Sequence, residues 1–419
     1  MSERLEKGIQ ALRDKMDARI ASYFSSCVHC GLCAEACLFA TESQDPIYTP
    51  IYKLEPMRKV WSREYSFWGK LGAMIGVTDN VTEEDFANWE TLVYDSCTMC
   101  GRCSMVCPVG IDITYMIRKE REAFVAAGYT PEGLQAATER AINIGSPMGV
   151  TLKTLQATIR SVEKETGLTI PMDVAGADYM VLFSSMEIVN FEEYIAGLAR
   201  IFKAAGVSWT VSSKGFEATN SGIQIGDPEA AKTIVERVVS AAEELGVKSV
   251  ISPECGHAFM AIRWEGPNLI GRQYPFKVIH ILELLSELHE NGSLQLEGMT
   301  DTPLTYHDPC QISRRGGVIQ QPRDLLNSVA SNFQEMSDGG DMNWCCGGGG
   351  GVSANERADE IRLQAFNIKK KQLAELDGVE TIVTACANCR LMLEDGLEHY
   401  ELSHEVTGLT ELIAEHIKQ

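Results

Sequence analysis

Fourteen cysteines, and their spacing, constrain this 419-residue chain more than anything else in it. Eight form two identical runs, Cys27, Cys30, Cys33, Cys37 and Cys97, Cys100, Cys103, Cys107, each spaced C-x₂-C-x₂-C-x₃-C. Cys310, Cys345, Cys346, Cys386 and Cys389 form a looser set, in which two adjacent cysteines precede five glycines, and Cys255 stands apart. Structural disulfides belong to oxidising compartments. The N-terminal stretch MSERLEKGIQALRDKMDARIASYF has the charged pattern of an amphipathic helix and no signal-peptide core. No run of 18 apolar residues occurs either, so the chain is expected in the cytoplasm, where thiols stay reduced. The cysteines therefore read as metal ligands or a redox site. With 37 basic against 58 acidic residues the net charge is −21, which repels nucleic acid and excludes it as a partner class.

The eight-cysteine pattern is the run that bacterial ferredoxins use for [4Fe–4S] clusters, three closely spaced thiolates taking three corners of a cubane and the fourth cysteine serving the other cluster. One cluster is accordingly assigned to Cys27, Cys30, Cys33 and Cys107, and the other to Cys97, Cys100, Cys103 and Cys37. Zinc also favours paired CxxC motifs, but two complete four-cysteine runs fit iron better. Leu38 stands where proline usually follows the fourth cysteine. The 59 residues from Leu38 to Ser96 contain helical patterns such as EEDFANWETLVYD, which predicts a helical two-cluster domain over residues 1–150. Within it, Tyr52–Met74 mixes Lys and Arg with Trp61, Tyr65, Phe67 and Trp68. Such a mixture suits either a docking surface, on a membrane boundary or a partner, or ordinary helical packing.

A linker is expected at 151–175, and from 176 onward strands alternate with helices, twice over. YMVLF, SWTVS and KSVIS read as strands; FEEYIAGLARIFKAAG and DPEAAKTIVERVVSAAEELG read as helices ending in glycine. PLTYHD, PRDLLNSVAS, the CCG segment, ANERADEIRLQAFNIKKKQLAELDG and ETIVTACANC repeat the plan. The fold class is therefore an α+β multidomain chain with two α/β lobes, 176–295 and 296–419. Laid together without gaps, GVKSVISPECGHAFM and GVETIVTACANCRLM put Glu254 opposite Cys386 and His257 opposite Cys389. Met186 falls opposite Cys310, and Ser212 and Ser213 opposite Cys345 and Cys346, so the first lobe reads as a site whose thiolates are gone.

The pattern C…CC…C-x₂-C resembles the cysteine-rich CCG domain of the B and D components of heterodisulfide reductase. Ferredoxin motifs followed by a doubled CCG domain resemble the D component over nearly the whole chain. Similar organisation occurs in the K component of the sulfite-reductase-associated membrane complex, the B component of the type II cytochrome c₃ complex, and the iron–sulfur subunits of glycolate and anaerobic glycerol-3-phosphate dehydrogenases. The resemblance implies that Cys310, Cys345, Cys346, Cys386 and Cys389 hold one non-cubane [4Fe–4S] cluster beside the two cubane [4Fe–4S] clusters. Gly347 and Gly348 are expected to bring backbone N–H groups to the cluster and to leave room for something to approach, with His307 as a hydrogen-bond partner. That family commonly keeps two CCG clusters; this chain keeps the cysteines for one, which departs from a two-cluster cleavage mechanism.

The resulting expectation is a catalytic iron–sulfur subunit that exchanges electrons with a thiol, disulfide or trisulfide. It would sit in the cytoplasm against the inner membrane, held by a membrane-bound cytochrome b or quinone-reactive subunit, with a small sulfur-carrier protein or thiol as substrate. The alternatives are a relay serving a flavin-dependent dehydrogenase, and a zinc scaffold without redox activity. No dinucleotide G-x-G-x-x-G motif follows a strand. Glu254, Cys255 and His257 either line the substrate pocket, with His257 as proton donor, or are remnants of an old site. Arg314, Arg315 and Arg323 either receive an acidic partner or form a solvated basic face.

Overall fold

The computed structural model describes residues 2–75 and 80–418. The chain divides into two compact units. The first gathers Met1–Gln135 with two later segments, Gly222–Pro228 and Gly347–Ile368; the second holds Ala136–Ser221, Glu229–Cys346 and Lys369–Gln419.

The first unit is helical around an aromatic core. Helix Glu3–Asp14 starts at Ser2, whose side chain accepts from Leu5 N, and buries Leu5, Ile9 and Leu12 on one face, as the amphipathic pattern requires. At Gly8 a Cβ would lie 2.4 Å from the Phe86 ring, so only glycine lets this helix approach Glu83–Asp95. Phe86, Trp89, Tyr94 and Phe124 fill the centre, and Cys27, Cys33, Cys97, Cys103 and Cys107 rest against that core. The segment after the double cysteine is fastened here by charge. Asn355 donates to Asp95 at 2.6 Å, and Arg357 donates to Asp95 and Glu90 at 2.7 and 2.9 Å.

In the second unit each lobe carries a four-stranded parallel sheet. The first contains β1 (Tyr179–Val181), β2 (Trp209–Val211), β3 (Ser249–Ser252) and β4 (Lys277–His280), ordered β2-β1-β3-β4. In the second, β5 (Leu304–His307), β6 (Phe333–Gln334), β7 (Thr381–Thr384) and β8 (Glu405–Gly408) are ordered β6-β5-β7-β8. The plan is the same in both; β3 and β5 are buried throughout, and β1 and β7 in all but their first residue, as parallel sheets covered on two faces must be. Helix contacts exchange symmetrically between the lobes. Glu192–Ala205 packs on Leu409–Glu415, and Ile281–Glu290 packs on Gln320–Val329. The helices after β1 and β8 thus pair, as do those after β4 and β5, a pseudo-twofold relation. The stretch 151–175, expected as a linker, carries helix Leu152–Thr166, which buries Leu155, Ile159 and Val162 and packs on Glu192–Ala205.

Candidate metal centres

The two ferredoxin-type loops adopt one conformation twice. His29 and Met99, each just before the second cysteine of its run, have φ of 54° and 53°, and Gly31 and Gly101 just after it have 85° and 82°. Side chains larger than glycine take such angles only where the surroundings demand them. Each loop then turns into a one-turn helix carrying the third cysteine, Leu32–Glu35 and Arg102–Met105. Cys27, Cys30, Cys33 and Cys107 line one cavity, and Cys37, Cys97, Cys100 and Cys103 line another, the exchange of fourth cysteines that the spacing predicts.

The two cavities differ. The first encloses about 310 Å³ among Phe24, Leu54, Trp61 and Met116, and opens past the exposed Val28 and Val109. The second encloses about 30 Å³, and a cation reaches into it: Lys53, 2% exposed, places Nζ 3.6 Å from Cys37 Sγ and donates to the Ser96 carbonyl. Its sequence neighbours place Lys53 in the docking stretch; the fold instead buries it. Arg121, fully buried, donates to the carbonyls of Val93, Cys97, Gln224 and Gly350. Burial lowers its ordinarily very high pKa somewhat, and nearby Cys97 opposes that shift. A buried cation needs compensating negative charge, so two cations converging on four thiols fit an anionic cluster.

The glycine run differs from expectation. Gly347–Gly351 are all buried, and a Cβ on Gly350 would lie 2.8 Å from the Thr98 carbonyl carbon and 2.9 Å from the Cys97 oxygen. Gly347, Gly350 and Gly351 have φ of 96°, 62° and 89°. The run thus lets backbone lie on backbone at the second ferredoxin loop, and leaves no open approach. Gly348 accepts from Ser353 N, and Gly347 lies against Arg362.

Five cysteines converge in the second lobe. Cys310 and Cys345 have sulfurs 3.9 Å apart, and the Cys389 thiol is hydrogen-bonded to those of Cys346 and Cys386. All five are only 4–5% exposed. The topology explains this placement, because Cys310 follows β5, Cys386 and Cys389 follow β7, and parallel strands deliver their following loops to one edge. Cys386 is the N-cap of helix Ala387–His399, and its sulfur sits among the backbone N–H groups of Gly256, Asn388 and Cys389. The Cys389 thiol and these donors hold its pKa down to about 7.

His307, fully buried, lies with a ring nitrogen within 4.8 Å of the sulfurs of Cys346 and Cys389, and neither of its ring nitrogens has a hydrogen-bond partner among the described residues. Burial, then Lys369, holds the imidazole well below its usual pKa. Lys369 is itself buried and pushed down to about 8, against the pull of Asp308, Cys346, Cys345 and Cys389. An orphaned imidazole is costly as it stands, and so is a buried amine beside five thiols with only Gln372 as a close acceptor among the described residues. An anionic cluster with sulfur acceptors satisfies all of them, so the residues fit the implied group.

Across the pseudo-twofold, the first lobe has sealed its equivalent site. Ladder registers pair Tyr179 with Ser249 and Leu304 with Thr381, which sets Ser185, not Met186, opposite Cys310. Ser185 donates its N–H and hydroxyl to the buried Glu217, and Thr219 N donates to the same carboxylate at 2.7 Å. The gap-free alignment also slips by one residue. Cys255 caps helix Gly256–Phe259 with φ −141° and ψ 105°, close to the −151° and 112° of Cys386, because Pro253 and Glu254 bridge β3 to that helix where Ala385 alone bridges β7. Cys255, rather than Glu254, is therefore the counterpart of Cys386. Burial pushes its thiol up in pKa, with nearby Cys386 adding to the effect, and its sulfur lies 3.5 Å from the Thr219 hydroxyl.

Glu254 does not face an open pocket. Its carboxylate accepts from Thr410 N and Oγ1 at 2.8 and 2.7 Å, its carbonyl accepts from Ala387 N, and the cavity beside it encloses about 10 Å³, room for one water. His257 is half-buried on the helix that follows Cys255. Nor do Arg314 and Arg323 form a solvated face. Arg314 donates to the carbonyls of Asp341 and Asn343 and to the Asn343 side chain, bracing the loop ahead of Cys345. Arg323 forms a two-pronged pair with Asp308 at 3.0 and 2.9 Å and a second pair with Glu335.

Comparison with known proteins agrees with this arrangement. Residues 23–111 match the family described as a 4Fe-4S dicluster domain, and residues 304–394 match the family described as a cysteine-rich domain, CCG. The Hdr-like menaquinol oxidoreductase iron–sulfur subunit 2 of Archaeoglobus fulgidus is 24% identical, over 97% of this chain and 82% of its own. The D component of the dihydromethanophenazine:CoB–CoM heterodisulfide reductase of Methanosarcina acetivorans is 27% identical over 93% of each chain. The EtfAB:quinone oxidoreductase of Syntrophomonas wolfei is 26% identical over 90% of this chain and 55% of its own. Among solved structures, a hypothetical protein from Helicobacter pylori is similar in fold, with a TM-score of 0.50 at 10% identity, over 84% of this chain and 66% of that one.

Proposed function

Given that the chain is a heterodisulfide reductase D-like iron–sulfur protein, related to such proteins over nearly its whole length, we propose that it is the catalytic subunit of a membrane-associated redox complex. In this reading it exchanges electrons with a thiol/disulfide or trisulfide couple. Cys27, Cys30, Cys33 and Cys107 hold one [4Fe–4S] cluster, and Cys97, Cys100, Cys103 and Cys37 the other. Cys310, Cys345, Cys346, Cys386 and Cys389 hold a non-cubane cluster. Bound there, such clusters supply single electrons; a disulfide takes up two, with two protons, as its S–S bond breaks to give two thiols. The chain's own residues keep water out, and they surround the five sulfurs with the N–H of Gly256, the amine of Lys369 and the imidazole of His307.

The observation that carries the reading is the convergence of five buried thiols, two of which, Cys346 and Cys389, lie beside a histidine with no hydrogen-bond partner among the described residues. The anaerobically purified protein is expected to show, after oxidation, a paramagnetic signal that changes when a small thiol is added, and a Cys389→Ser variant is expected to lack it. A thiol-insensitive signal refutes substrate chemistry at this site. His257, half-buried beyond Cys255, is the candidate proton donor, and thiol turnover unchanged in His257→Ala removes that role. The partners in this reading are a cytochrome b or quinone-reactive membrane subunit and a small sulfur-carrier protein or thiol.

A second reading, an electron relay for a flavin-dependent dehydrogenase, is favoured by the match to the EtfAB:quinone oxidoreductase. It predicts reduction of all clusters by a flavoprotein partner and no response to thiols.

A further inference from the structure

Helix Phe67–Met74 buries none of its side chains, although its sequence is FWGKLGAM. Phe67, Trp68, Leu71, Met74 and the following Ile75 recur at helical spacing along one stripe, and all five are exposed, Trp68 at 77% and Met74 at 83%. A soluble helix normally turns such a stripe inward, and an exposed apolar patch marks something that covers it. The helix is not loosely hung. Ser66 caps it by accepting from Gly69 N at 3.0 Å, and the Ser66 hydroxyl donates to Ser62 O at 2.6 Å in the preceding helix Glu55–Tyr65. A Cβ at Gly69 would lie 1.8 Å from that same Ser62 oxygen. The pair of helices is locked, with the apolar stripe facing outward.

Charge says what covers it. From Glu55 to Ile75 there are four basic residues, Arg58, Lys59, Arg63 and Lys70, against Glu55 and Glu64, in a chain of net charge −21. Arg58 and Lys59 are paired within the protein, to Glu55 and Asp85, while Lys70 is exposed beside the stripe. The cytoplasmic loops of membrane proteins are themselves rich in Lys and Arg and would repel this patch. An anionic bilayer surface attracts it, and Trp and Phe seat well at headgroup depth. We propose that the Phe67–Met74 helix is a direct lipid-docking element that inserts Phe67, Trp68, Leu71 and Met74 into the interface of an anionic bilayer. This goes beyond attachment through a partner subunit, and it does not depend on the thiol chemistry.

The test is flotation of the full-length, cluster-loaded protein with vesicles of 70% phosphatidylcholine and 30% phosphatidylglycerol. Binding is expected at low ionic strength, with weakening by salt and little binding to pure phosphatidylcholine. Lys70→Ala should weaken it about fivefold, the effect of one surface charge near such a membrane. Trp68→Ser with Leu71→Ser should abolish it while leaving the visible absorption of the clusters unchanged, since neither side chain supports the core. Failure of the wild type to float, or equal flotation of the double variant, overturns the proposal and assigns the stripe to a protein partner.

Discussion

Lys53→Met isolates the electrostatic difference between the two ferredoxin-type sites. At 3.6 Å from Cys37 Sγ, and with an effective dielectric of about 20, one unit charge is worth about 4.6 kcal/mol to an electron placed on that sulfur. For a one-electron couple about 1.4 kcal/mol corresponds to 59 mV, which sets a ceiling of ~190 mV. The electron spreads over atoms farther from Nζ than Cys37 Sγ, so about 100 mV is the expected shift, toward negative potential. The assay is a redox titration of the anaerobic protein followed by electron paramagnetic resonance. The cluster at Cys27, Cys30, Cys33 and Cys107 serves as internal reference, since Lys53 belongs to the other cavity. Lys53→Arg keeps the charge and should restore most of the potential. Loss of the bond to Ser96 O destabilises the variant by about 1–3 kcal/mol, which lowers the melting temperature without moving the reference cluster. An unchanged potential, or equal shifts in both clusters, refutes the reasoning.

Gly350→Ala adds a Cβ 2.8 Å from the Thr98 backbone at a φ of 62°, so the backbone must move. The variant should lose the iron held near Cys97 while keeping that at Cys27, measured as a fall of about four irons per chain. His280, buried as the N-cap of helix Ile281–Glu290, has its pKa lowered to about 3 by burial. A depressed histidine leaves the unfolded chain binding more protons below about 6.5, so its contribution is complete above that pH and is lost as pH falls toward 3. At pH 5 the loss is about 2 kcal/mol. His280→Asn, which keeps a capping acceptor, should therefore flatten the fall in melting temperature between pH 6.5 and pH 5; an unchanged slope contradicts the assignment.

Whatever local spacing determines is legible in the sequence. A cubane-binding loop needs three thiols within one tight turn, so Cys27–Cys33 and Cys97–Cys103 announce themselves, and the exchange of Cys37 and Cys107 follows from the same pattern. The doubled sheet is legible from its repeated strands and helices. Long-range packing is not. The glycine run reads as an open approach to the cluster because nothing in NWCCGGGGG reveals that Gly350 lies on Cys97 and Thr98. Lys53 groups with surface cations because composition carries no burial, and Arg314 and Arg323 read as solvated because their partners Asn343, Asp308 and Glu335 are distant along the chain. The alignment of the lobes fails by one residue in two places, at Met186, where the strand register sets Ser185 opposite Cys310, and where the extra residue before Cys255 shifts the helix start. Glu217, which plugs the first lobe, gives no signal at all, since a buried carboxylate is recognised only by its donors, Ser185 and Thr219.

Iron and acid-labile sulfide, counted in the purified protein and in a Cys345→Ser, Cys346→Ser variant, bear most directly on the five-thiol site. The account predicts about 12 irons per chain in the wild type and about 8 in the variant, both ferredoxin-type clusters being retained. About 8 irons in both proteins, or zinc in place of the missing four, contradicts it.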